Sequence, residues 1–166
     1  MHPKVVMEIG TANGGTLFMF TRAADKDSLL ISIDLPEGPF GGGYPFYLSR
    51  LFQSFRMPGQ QIFLIRGDSH ETATREKIER ILNGQKVDFL LIDGDHTYEG
   101  VRKDFETYSS FVRKGGVVAL HDICRGPPES VGGVPEFWLE VREKYRSMSI
   151  VSNPSQSGLG IGVLYV

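Results

Sequence analysis

Five short apolar runs, each halted by a glycine or a carboxylate and followed by helical periodicity, leave this chain few architectures. Val5-Val6-Met7-Glu8-Ile9 stops at Gly10 and reads as a buried strand. Leu29 to Ile33 closes on Asp34, and Ile62 to Ile65 runs towards Gly67-Asp68. Val87 to Ile92 meets Asp93, and Val117 to Leu120 meets His121-Asp122. Between and after these runs, helices are expected over Leu17 to Ala24, Tyr44 to Met57, Ser69 to Leu82, Thr97 to Val112 and Pro135 to Tyr145. Asn83-Gly84 supplies a C-terminal stop for the third. Such apolar strands, alternating with helices, indicate an α/β chain with a parallel sheet covered on both faces. Two final strands, near Met148 to Val151 and Ile161 to Val166, are too close for a helical crossover. They should pair antiparallel, across the polar turn from Asn153 to Gly158.

The 166 residues are expected to form one domain, residues 1–166, with no repeat or linker. Hydrophobic residues make up 40% and charged residues 23%, the balance of a soluble globular domain. A net charge of -2 offers no electrostatic reason for a nucleic-acid partner. The single cysteine, Cys124, forbids an intrachain disulfide and suits a reducing compartment. The apolar runs are too short to span a membrane, and the N-terminus lacks a signal-peptide layout. The expected location is the cytoplasm, away from membranes.

Open parallel sheets bind ligands beyond the carboxyl ends of their strands, where strand order reverses. Here those ends carry Glu8 to Thr16, Asp34, Gly67-Asp68-Ser69, Asp93-Gly94-Asp95-His96 and His121-Asp122. Any one of these is ordinary turn chemistry; their recurrence at equivalent positions is not. A dinucleotide fingerprint would read Gly-x-Gly-x-x-Gly to let pyrophosphate approach. This chain instead spaces its glycines as Gly10, Gly14 and Gly15, with Glu8 two residues ahead. That carboxylate would repel pyrophosphate but attract a cationic sulfonium ligand with an ammonium group. Asp34 is placed to accept two ribose hydroxyls, and Asp68 to accept from an adenine amine. No Walker pattern is present.

With its glycines, Asp34 and Gly67-Asp68-Ser69, the Glu8-x-Gly10 segment resembles the cofactor motifs of class I S-adenosylmethionine-dependent methyltransferases. The segments Val87 to Val101 and Lys114 to Ile123 are similar to the branch of cephalosporin-hydroxylase-like proteins and macrolide-sugar O-methyltransferases. The resemblance extends through Gly133-Val134-Pro135-Glu136-Phe137-Trp138. It implies a Rossmann-like, doubly wound, seven-stranded sheet, mostly parallel with the last strand antiparallel. It also implies S-adenosylmethionine as cofactor, held by Glu8, Gly10, Thr11, Gly14, Asp34, Asp68, Ser69 and Asp93. In metal-dependent relatives a divalent cation, Mg2+ or another, binds at positions matching Asp93, His121 and Asp122. Their catalytic base matches His96.

Chelation of two substrate hydroxyls would lower their pKa, and His96, ordinarily titrating near about 6.5, would take the proton. His121 stands where such relatives carry an acidic residue. Imidazole there weakens a magnesium site and favours a softer metal, or else no metal binds and His121-Asp122 is a hydrogen-bonded pair lining the pocket.

Other residues have plainer readings. His70-Glu71 suits the first turn of a helix. Glu99, Arg102, Lys103, Asp104 and Glu106 are expected on a solvated helix face. Trp138 and Phe137 read as core or interface. Arg66-Gly67-Asp68-Ser69 matches an integrin-binding tetrapeptide by coincidence. The Pro36 to Pro45 loop, with Tyr44, is either a lid or a plain surface loop. The first strand begins almost at Met1, where relatives carry covering helices, so an open site and homo-oligomerisation are expected. The leading functional reading is O-methylation of a small hydroxylated acceptor. Its rivals are a non-catalytic S-adenosylmethionine-binding module and an NAD- or nucleotide-linked enzyme, the latter disfavoured by the glycine spacing.

Overall fold

A computed structural model describes residues 2–38, 40, 42–153 and 155–166. Its elements are β1 (Val5–Ile9), α1 (Gly15–Ala23), β2 (Leu29–Asp34), α2 (Leu48–Gln53), β3 (Gln61–Arg66), α3 (Thr72–Leu82) and β4 (Val87–Ile92). There follow α4 (Tyr98–Tyr108), a 3-10 turn (Ser109–Phe111), β5 (Val112–His121), α5 (Pro128–Val131), α6 (Val134–Val141), β6 (Arg146–Ile150) and β7 (Ile161–Tyr165). Seven strands form one sheet in the order β3-β2-β1-β4-β5-β7-β6. The first five run parallel, and β7 lies antiparallel between β5 and β6. This is the doubly wound, Rossmann-like sheet expected from sequence, with strand order reversing between β1 and β4.

The apolar strands exist because both faces of the sheet are buried. Every residue of β1 and β2 is buried. Val5, Met7, Ile9, Ile31 and Ile33 join the larger core, with Ile78 of α3, Val101 and Phe105 of α4, and Phe137 and Trp138 of α6. Val6 and Leu30 face a smaller cluster with Leu17, Tyr44 and Phe52. Asp88 ties the sheet's leading edge together. Its Oδ2 accepts from the backbone N–H groups of Lys4 and Val5, and its Oδ1 from Arg113 Nε.

Several local expectations were displaced. The helix expected over Tyr44 to Met57 shortens to Leu48–Gln53. Gly43, at φ +83, lies outside the helical region, and hydrogen-bonded turns from Pro45 to Leu48 and Phe46 to Ser49 lead into the helix. Its expected apolar face also fails to bury as a unit: Phe52 is enclosed, whereas Phe46 and Leu51 are exposed. Strand β5 begins at Val112 rather than Val117, because residues between them bulge out against Val87–Phe89 around the left-handed Gly115. The short helix α5 was not anticipated; prolines at 127 and 128 open it and Gly132 closes it. No described helix is long and apolar enough to cross a membrane.

Candidate active site at the strand ends

A cleft of about 230 Å³ opens beyond the carboxyl ends of β1 to β4. Gly10, Asp34, Asp68, Ser69 and Asp93 line it, as do Ala12, Phe40 and His70. Of the residues expected to hold a cofactor, Glu8, Thr11 and Gly14 lie outside this lining.

The β1–α1 loop is built by glycine. Gly10 has φ +97, and a Cβ there would collide with the carbonyl of Asp93, so the loop passes directly over the end of β4. Gly14 has φ +74 and starts α1. Asp34 holds this loop from the neighbouring strand. Its Oδ2 accepts from the N–H of Thr11 at 3.1 Å and of Ala12 at 2.6 Å, and its Oδ1 from the N–H of Gly43 at 2.8 Å. One carboxylate thereby ties the glycine loop to the end of the Pro36–Pro45 loop. Burial raises its pKa, against the lowering effect of these three donors.

Glu8 is 1% exposed and sits inside the sheet. Its Oε1 accepts from Ser32 Oγ at 2.7 Å, and Ser32 in turn contacts Thr11 Oγ1. Its Oε2 is buried without a hydrogen-bond partner of good geometry among the described residues. Burial pushes the Glu8 pKa up to about 7. Ser32 escaped the sequence reading, although it is the lone polar residue inside the run Leu29 to Ile33.

The second half of the site gathers around β4 and β5. His121 Nδ1 lies 3.1 Å from Asp93 Oδ1 and 3.4 Å from Asp122 Oδ2. His96 Nε2 lies 3.5 Å from Asp93 Oδ1. Asp93, His96 and Asp122 form a group able to hold a metal ion, their ligand atoms all within 4.8 Å of one another. Hydrogen bonding to Asp122 and Asp93 pushes the His121 pKa up to about 10. Burial pushes Asp93 upward, but His121 and His96 outweigh it and hold the carboxyl below its usual range. Asp93 raises the His96 pKa in return, against burial. His96 Nδ1 is within hydrogen-bonding distance of the Ser130 carbonyl on α5. With Nδ1–H donated there, Nε2 faces Asp93, whose carboxylate favours a proton on that nitrogen as well.

Phe40 stacks on His96 with ring centroids 4.9 Å apart, bringing the Pro36–Pro45 loop over the site. Pro39 and Gly41 of that loop lie outside the described residues. Tyr44 does not act as a cover. It is 2% exposed and packs edge-on against Phe52 in the smaller core.

His70 falls in the turn before α3, which starts only at Thr72. Asp104, expected in solvent, is 0% exposed. The helical period explains why, since residue 104 shares the inward stripe of Val101, Phe105 and Tyr108.

Residues 7–123 match the family model described as a methyltransferase domain. The chain belongs to that family. Its seven-stranded sheet is that of the class I S-adenosylmethionine-dependent methyltransferases. Protein R132 of Acanthamoeba polyphaga mimivirus is 33% identical over 117 residues, which cover 70% of this chain and 50% of the relative. The methyltransferase-domain chain thus spans about half the length of that relative. Among solved structures, the O-methyltransferase TomG of Streptomyces achromogenes, in complex with S-adenosylmethionine, superposes with a TM-score of 0.65. It is 17% identical, with 99% of this chain and 74% of TomG covered. The MycE methyltransferase of mycinamycin biosynthesis, in complex with Mg and S-adenosylhomocysteine, gives a TM-score of 0.56 at 17% identity, covering 97% of this chain and 44% of MycE. At these identities the two structures share the fold.

Proposed function

We propose that the chain carries an S-adenosylmethionine-dependent O-methyltransferase activity towards a small hydroxylated acceptor. The observation that carries this reading is the juxtaposition of the cleft at β1 to β4 with the Asp93, His96, His121 and Asp122 cluster, Asp93 belonging to both. The cofactor fits the residues present. Glu8 lies outside the cleft lining, and its Oε2, without a hydrogen-bond partner of good geometry among the described residues, is the acceptor that an ammonium group would meet. Asp34, Asp68 and Ser69 line the cleft, where Asp34 would meet the ribose hydroxyls and Asp68 the adenine amine. S-adenosylmethionine supplies a methyl group activated by a positively charged sulfur.

The chain's own work is positioning and proton removal. His96, held at Nδ1 by the Ser130 carbonyl, takes the acceptor hydroxyl proton on Nε2 from its neutral form, and Asp93 beside that nitrogen stabilises the imidazolium that results. Phe40 stacks on the His96 ring and helps to fix its plane.

A divalent ion also fits the cluster. Donor atoms around an ion bonded at 2.0–2.2 Å stand about 3 to 3.5 Å apart, close to the 3.1 Å and 3.4 Å that separate His121 Nδ1 from Asp93 Oδ1 and Asp122 Oδ2, which leaves His96 free as the base. Two carboxylates with one imidazole suit manganese, cobalt or zinc better than magnesium. Such an ion would lower the pKa of a chelated hydroxyl.

The test is transfer of labelled methyl from S-adenosylmethionine to a panel of hydroxylated sugars and phenols, with His96→Ala alongside. Labelled ether product lost in the variant, while S-adenosylhomocysteine binding persists, supports the reading. Cofactor binding without transfer to any acceptor in the panel favours a non-catalytic binding module.

A further inference from the structure

Asp104 is a buried carboxylate that the chemistry above does not use. It is 0% exposed, and neither oxygen has a hydrogen-bond partner of good geometry among the described residues. A carboxylate so placed is costly, and an apolar side chain at the same position would pack at lower cost. The charge beside it is His70, whose Nε2 lies 3.2 Å from Asp104 Oδ1. The same nitrogen lies 3.2 Å from the Gly100 carbonyl, so its N–H is shared within α4. Four residues on, the Tyr108 hydroxyl donates to the Ser69 carbonyl over 2.6 Å, from a fully buried ring. Successive turns of one helix therefore grip successive residues of the turn that follows β3.

That turn lines the cleft through Asp68, Ser69 and His70. The His70 backbone N–H donates to Asp68 Oδ1 at 2.7 Å, which leaves Oδ2 as the oxygen not engaged by the turn. The direction in which Asp68 presents its free oxygen is thus set by where His70 stands, and His70 is set by Asp104. Asp104 also abuts Gly94, another residue of the cleft: a Cβ at Gly94 would lie 3.6 Å from Asp104 Oδ2.

We propose that Asp104 and Tyr108 are positioning residues for base recognition, holding the Asp68–His70 turn so that Asp68 accepts from the exocyclic amine of adenine. The inference rests on the cofactor reading given above. Neither residue touches the ligand; each acts through the turn.

The experiment compares S-adenosylhomocysteine with S-inosylhomocysteine, in which a carbonyl oxygen replaces that amine, by calorimetry on the wild type, Asp104→Asn and Tyr108→Phe. Thermal melts accompany each titration. The wild type should prefer the adenine ligand by about tenfold or more, as a site built around one hydrogen bond does. Each folded variant should lose most of that preference, to within about threefold, chiefly by weaker binding of the adenine ligand. Tyr108→Phe, which removes one hydroxyl, carries the comparison should Asp104→Asn not fold. Variants that melt earlier yet keep the full preference overturn the inference and leave a purely structural role. A wild type that binds S-adenosylhomocysteine without preference over the inosine ligand overturns it as well. A wild type that binds neither ligand overturns the cofactor reading itself.

Discussion

His121 Nδ1 stands 3.1 Å from Asp93 Oδ1, so an imidazole from the end of β5 meets the carboxylate at the end of β4. An imidazole at this position bears on which cation the proposed metal site would prefer. Titration of the metal-free protein should show manganese, cobalt or zinc binding at least about tenfold more tightly than magnesium. His121→Asp should narrow or reverse that order by restoring an all-oxygen pair at the end of β5. Equal affinities for all four ions, or no binding, would count against a metal role for the cluster.

Glu8 predicts a pH dependence of stability. Burial raises its folded-state pKa from 4.5 to about 7, so the folded protein favours the protonated form. The stabilising contribution is complete below pH 4.5 and is lost as pH rises through 7. The loss amounts to about 3 kcal/mol. Urea unfolding of the ligand-free protein between pH 4.5 and 8 should show this decline. Glu8→Gln should flatten it. Parallel profiles for the two proteins would show that Glu8 does not titrate in that window.

Tyr44→Ala should act on stability. The ring is enclosed against Phe52, so its loss leaves a cavity worth about 3 kcal/mol. An unchanged denaturation midpoint combined with lowered turnover would return Tyr44 to the lid.

The parallel strands, their order of appearance and the antiparallel hairpin were legible because periodicity and run length report burial directly. Asp34, Asp68 and Asp93 were legible for a related reason: a carboxylate just past a buried strand has few places to go but the ligand end of the sheet. Sequence spacing did not reveal what lies across space. Ser130 reaches His96 from 34 positions away, on a four-residue helix set by prolines. Phe40 meets His96 through a loop whose path no periodicity encodes. Asp104 was misread for want of a phase check, since its charge suggested solvent while its position among Val101, Phe105 and Tyr108 placed it inside. The Tyr44 to Met57 helix failed because aromatic spacing was weighed above the glycine and proline at its start.

The cleft beyond β1 to β4 is the site proposed for S-adenosylmethionine. The most direct test is calorimetry of the purified chain with S-adenosylhomocysteine and, separately, NAD, repeated on Asp34→Asn. An asparagine turns an NH2 group towards one of the two sets of backbone N–H donors that Asp34 now accepts from. The account predicts saturable one-to-one binding of S-adenosylhomocysteine, weakened at least about tenfold in the variant, and no binding of NAD. Binding of NAD alone would contradict it.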